Sequence, residues 1–111
     1  MEIKQNKENK SFGIKFTAEE NGEVLGRAYL YLMFNDLHKE PFGFIEDVFV
    51  EEKSRGKGIG TKLVNTAITE AKKQNCYKII CTSRYKSSKV HSLYEKLGFR
   101  DYGKEFRIDL I

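Results

Sequence analysis

Between Ser11 and Phe34 the apolar residues favour alternate positions: Phe12, Ile14 and Phe16 lead towards a second tract, Val24 to Met33, rich in strand formers. Such a period of two marks half-buried strands, because successive side chains point to opposite faces. Asn21-Gly22 tolerates the positive φ angles of a two-residue turn, so the spacing predicts a hairpin. After a polar loop containing Pro41, FGFIEDVFV (42–50) reads as a further strand, with β-branched and aromatic residues behind its glycine.

The rhythm then lengthens. Ile59, Leu63, Val64, Ala67, Ile68 and Ala71 recur at helical spacing with polar residues between them, predicting an amphipathic helix from about 59 to 74. YKIICTS (77–83) is a short apolar run of the buried-strand type. A second helix is predicted at about 88 to 97, with Ser87 or Ser88 as cap, Val90, Leu93, Tyr94 and Leu97 as its stripe, and Gly98 as its stop. Phe99 is placed to fold back onto Leu93 or Tyr94. Phe106, Ile108 and Leu110 alternate with Arg107 and Asp109, which predicts a closing strand and a C-terminal hairpin.

Strand, helix, strand, helix in the middle of the chain implies a parallel β-α-β unit, since a helical crossover normally makes its flanking strands parallel. Both helix starts are then expected on one edge of the sheet. The fold class is α/β: a compact mixed sheet with antiparallel N-terminal strands, the parallel unit, a second helix and the C-terminal hairpin.

Composition narrows the class further. A chain of 111 residues suits one domain, 1–111, and 40% hydrophobic with 13% aromatic residues is globular rather than disordered. No apolar run approaches the ~20 residues of a membrane span, and the opening MEIKQNKENK lacks the apolar region of a signal peptide, so the expectation is a cytoplasmic protein with no membrane partner. Cys76 and Cys81, with His38 and His91 distant in sequence, match no zinc spacing; no metal is expected, and both thiols read as reduced and structural. Twenty Lys and Arg against sixteen Asp and Glu give a net charge of +4, which favours anionic partners without demanding nucleic acid.

The position of the cations says more. A helix start carries unpaired N–H groups and partial positive charge, so acids usually favour it. In EEKSRGKGIGTKLV (51–64), Arg55, Lys57 and Lys62 surround that start, with no acid after Glu52. Cations there oppose the dipole unless an anion lies between them, and glycines let a backbone approach that anion closely. The spacing fits neither the nucleotide loop G-x-x-x-x-G-K-[ST] nor the dinucleotide fingerprint G-x-G-x-x-G.

Arg55, Gly56, Gly58 and Gly60 do resemble the R/Q-x-x-G-x-G/A loop of the GNAT family of N-acetyltransferases. HSLYEKLGF (91–99) resembles that family's second motif, and FGFIEDVFV its cofactor-lining strand; the likeness runs in order and spacing over roughly 42–100. Within the family, GFIEDVFV and CYKII are most similar to glucosamine-6-phosphate N-acetyltransferases. The resemblance implies that the loop, with Lys57, Ile59 and Thr61, cradles the pyrophosphate of acetyl-coenzyme A, that Val48 and Val50 line the cofactor, and that Ser87 and Lys89 lie near it. It implies direct attack by an amine on the thioester without an acyl-enzyme, with a backbone N–H near Val48 polarising the carbonyl and Tyr94 as general acid. A phenol, titrating near 10, suits proton donation to a departing thiolate; an aromatic on a helix stripe also simply packs. Family members usually carry one or two helices between their first two strands, which help to form the acceptor site. This chain has no room for them, which implies an open acceptor site completed by a second subunit.

Glu46 is the odd residue of its strand. By alternation it shares a face with Phe44 and Val48, where apolar surroundings suit a general base; a buried ion pair explains it equally well. A bulge in this strand exchanges the faces and promotes Asp47 instead. Arg84, Lys86 and Lys89 read as a solvated face or as phosphate contacts, and His91 as structural or exposed. The reading is an acetyl-coenzyme A-dependent N-acetyltransferase acting on a small amine or a protein lysine. The alternative is a non-catalytic acyl-coenzyme A-binding or interaction module. A strand-binding module for nucleic acid is disfavoured, because the basic loops lack interleaved aromatics.

Overall fold

Asn21 and Gly22 have φ of 52° and 79°, the left-handed pair a two-residue hairpin turn needs, and they join β1 (Phe12–Glu20) to β2 (Glu23–Met33) in antiparallel register. The computed structural model describes residues 1–111, which form two compact units, Met1–Cys81 and Thr82–Ile111. No helix lies between β1 and β2.

In the first unit, β3 (Phe42–Val50) pairs antiparallel with β2, and β4 (Ile79–Cys81) pairs parallel with β3 through Gly43 opposite Ile79, Phe44 opposite Ile80 and Ile45 opposite Cys81. The sheet order is β1-β2-β3-β4, with α1 (Ile59–Lys73) as the crossover. The expected stripe of α1 is the buried one: Leu63, Val64, Ala67 and Ala71 pack with Ala28, Leu30, Leu32 and Ile45. Each large apolar side chain so buried contributes on the order of 1.5–3 kcal/mol. The other face of the sheet carries Lys15, Arg27, Tyr29, Tyr31, Phe44 and Glu46, with Tyr29 and Tyr31 stacked 5.8 Å apart.

The second unit holds α2 (Ser88–Lys96). Ser87 occupies the cap position, and its carbonyl, rather than its hydroxyl, serves the helix start by accepting from Val90 and His91. Gly98, at φ 101°, ends the helix: its N–H donates to the Glu95 carbonyl, and the Phe99 N–H to that of Tyr94. The Phe99 ring meets Tyr94 edge-on at 5.5 Å, the apolar contact of a Schellman stop.

The closing strand is a correction. Residues 99–111 form no strand and no hairpin, and Phe106, Ile108 and Leu110 are 91%, 80% and 85% exposed. Alternation supplies only half of what a strand requires. The other half is a neighbour for its N–H and C=O groups, and α2 is the only regular element of this unit.

Candidate functional site

The site begins where β3 loses a neighbour. β4 pairs with β3 only as far as Ile45, so Glu46 to Val50 run on with no strand along that edge. An unpaired strand edge offers N–H and C=O groups to whatever lies beside it. The free edge coincides with a bulge. Tyr29 pairs with Glu46 and Arg27 with Phe49, which leaves Asp47 and Val48 together opposite Ala28, with Asp47 at φ 52°.

The bulge changes the side-chain pattern expected from simple alternation. Before it, a Cβ on Gly43 would meet Ala71 of α1; after it, Val50 is the residue beside Gly60 of α1. The faces have therefore exchanged, and Val48 no longer shares the side of Phe44 and Glu46. Glu46 lies ahead of the bulge and is exposed, without the apolar enclosure the sequence suggested. Asp47 is paired with Arg27, whose Nε and Nη2 donate to its carboxylate at 2.8 and 3.1 Å. That hydrogen bond holds the Asp47 carboxyl below its ordinary value, the wrong direction for a base.

Beyond β3 a single 3-10 turn (Glu52–Ser54) delivers the glycine loop. Gly56 and Gly58 both sit at φ 80°, a conformation that a side chain disfavours, and Gly58 is the cap of α1. No side chain caps this helix start and its first turn holds no acid, so the N–H groups of Ile59, Gly60 and Thr61 have no intrahelical acceptor. The four nearby cations divide into two pairs. Lys53 is paired with Glu23, and Arg55 donates from Nε to the Val50 carbonyl at 2.9 Å while lying 5.6 Å from the Phe49 ring. Lys57 and Lys62 have no carboxylate partner, and with Gly58, Ile59 and Ser54 they line an open cavity of about 410 Å³ whose far wall includes Glu20 and Glu23. The cavity lies on the hairpin-turn side of the loop, whereas the free strand edge adjoins Val48 and Val50.

Of the residues singled out in the sequence, the first unit gathers Glu46, Val48, Val50 and the loop Arg55–Thr61 along β3 and the start of α1. Tyr94, Ser87 and Lys89 belong to the second unit. Tyr94 is half-buried on α2, Ser87 is half-buried and Lys89 exposed. His91 donates from Nε2 to the Arg84 carbonyl at 2.8 Å, a local tie between helix and preceding loop. Neither cysteine suits nucleophilic work: burial pushes the Cys81 thiol up to about 11 and raises that of Cys76. Arg27 is the residue sequence reasoning missed. Its only signal was a lone cation inside a strand, and the partner stands twenty positions away.

Comparison with known proteins decides the family. Residues 2–99 match the model of the "Acetyltransferase (GNAT) family". The chain belongs to the GNAT family. It is 34% identical over 96 residues to glucosamine 6-phosphate N-acetyltransferase of Trypanosoma brucei brucei, a match that takes in 86% of this chain and 63% of that relative. A solved Trypanosoma brucei acetyltransferase superposes with a TM-score of 0.76 at 33% identity, over 90% of this chain and 69% of the other. A Clostridium acetobutylicum structure described as a predicted acetyltransferase with acetyl-CoA superposes at 0.72 and 26% identity, over 88% of this chain and 64% of the other. This GNAT chain thus spans about two thirds of the length of these proteins, with the mixed sheet and two helices of their fold. No helix of it is long and apolar enough to cross a membrane.

Proposed function

We propose that the chain transfers acetyl from acetyl-coenzyme A to a primary amine by direct attack. The observation that carries this reading is the free edge of β3 running into a glycine loop at the acid-free, unpartnered start of α1. An extended amide chain suits the first feature and a pyrophosphate the second, and coenzyme A joins the two chemistries in one molecule.

The first-turn N–H groups and the free cations Lys57 and Lys62 hold the pyrophosphate, with Gly56, Gly58 and Gly60 allowing close approach. The backbone of Val48 and Val50 bonds the amide groups of the pantetheine arm. Glu46, through a water molecule, takes the proton of the incoming ammonium. The neutral nitrogen then bonds to the thioester carbon while the Val48 N–H stabilises the oxygen that becomes negative, an effect commonly worth several kcal/mol. As the C–S bond breaks, Tyr94 gives its proton to the departing thiolate, the role its helix has in the family, and the second proton shed by the nitrogen as it becomes the amide restores the phenol by way of water. Holding amine and thioester together supplies much of the remaining acceleration. Asp47, tied to Arg27 in an ion pair, suits the role of base less well.

The acceptor class is a small amine or a protein lysine, and glucosamine 6-phosphate is the first to try because a relative acts on it. A thiol-release assay with acetyl-coenzyme A across a panel of amines tests the reading, run beside Tyr94→Phe. At least one amine should raise release above the blank, and Tyr94→Phe should cut that rate by about 10²-fold with little change in KM for acetyl-coenzyme A. Release that no amine stimulates contradicts transfer. If coenzyme A still raises the melting temperature in that case, the binding-module alternative replaces it.

A further inference from the structure

Asp47 holds a backbone conformation that residues with side chains seldom adopt, inside a strand and beside the group proposed to polarise the thioester. Such a geometry persists only where its surroundings fix it. Here the strand pairing on either side of the bulge holds the backbone, and the side-chain hold on Asp47 comes from Arg27. Arg27, on the neighbouring strand, donates to both Asp47 carboxylate oxygens, and its guanidinium lies 4.8 Å from the centroid of the Phe49 ring. A single side chain from β2 therefore grips β3 on both sides of Val48, the one residue of the three it does not touch through a side chain.

We propose that Arg27 is a positioning residue for acetyl transfer: by clamping the bulge at Asp47 and Phe49 it keeps the Val48 N–H directed at the thioester carbonyl. This rests on the acetyl-coenzyme A reading above. The pair is too open to be a fold-holding contact, with 38% and 48% of its two side chains exposed, and ion pairs so placed add little to global stability. Its geometry is nonetheless specific, because a planar fork meeting a carboxylate through two bonds fixes orientation as well as distance. Lysine offers a point charge without the fork and without the flat surface that lies on Phe49.

The Val48 amide resonance reports the effect directly, with acetyl-coenzyme A and coenzyme A as probes. In the wild-type chain the two ligands should shift it differently, since only one carries a thioester carbonyl. In Arg27→Ala that difference should collapse while affinity for coenzyme A and the melting temperature stay unchanged, and Arg27→Lys should not restore it. A full difference retained in Arg27→Ala overturns the inference and leaves the acetyl-coenzyme A reading standing. Loss of coenzyme A affinity together with a lowered melting temperature also overturns it, making Arg27 a structural residue. A wild-type Val48 that answers neither ligand removes the acetyl-coenzyme A reading, and the inference with it.

Discussion

Asp47 and Cys81 show how a residue's surroundings decide its chemistry. The Asp47 carboxyl lies below its ordinary value because of Arg27, so the pair adds stability above the unfolded carboxylate pKa of about 4 and loses it as pH falls through the folded value. Because the pair is exposed, that contribution is small, and the shift is better read on the carboxyl itself: followed by NMR, Asp47 should titrate below the ordinary carboxylate range in the wild type and move back up towards it in Arg27→Ala. Equal titration in the two chains would show that Arg27 does not set the shift. Cys81 is held protonated by burial, with its thiol up at about 11. Alkylation by iodoacetamide should be slow at pH 8 and quicken only towards pH 11, and Cys81→Ala should leave turnover intact, as direct transfer requires. At this scale the sequence was a partial guide. The left-handed turns at Gly56 and Gly58 and the contact of Phe99 with Tyr94 were legible from motif and spacing, but Glu46 is exposed and has lost Val48 from its face to the bulge. One extra residue in a strand moves every later side chain to the opposite face; the sequence allows such a bulge here, and only the register establishes it.

Among the elements, the helices and the paired strands are the legible ones, because a helix closes its hydrogen bonds within itself whereas a strand needs a neighbour. β1, β2, β3 and α1 appear within a residue or two of expectation, because each pairs with a neighbour in the same unit and buries the face its periodicity marks. The closing segment had the pattern and lacked the neighbour. Local conformation matters most at the start of α1. Placing a Cβ at Gly58, φ 80°, should destabilise the chain by about 1 kcal/mol in Gly58→Ala, read by urea denaturation, although open space surrounds the position. The cost is one of backbone conformation rather than of packing. Leu30→Ala, at the centre of the face under α1, should cost more, on the order of 2–5 kcal/mol, by opening a cavity. If Gly58→Ala proved as stable as the wild type, the loop would not depend on its left-handed cap.

For the molecule as a whole, the account joins two features of the first unit: an unpaired length of β3 and a cationic glycine loop at the start of α1. Each has ordinary structural precedents on its own. Together they suit the proposed ligand, amide-rich at one end and carrying a pyrophosphate at the other, in a chain that belongs to the GNAT family. Calorimetric titration of coenzyme A into the wild-type chain and into Gly58→Ala tests that claim most directly. The wild type should bind one coenzyme A per chain with an affinity that weakens as salt is raised, and Gly58→Ala should bind about tenfold more weakly because its loop no longer closes on the phosphates. The absence of binding to the wild type, or equal affinity for both chains, would contradict the account.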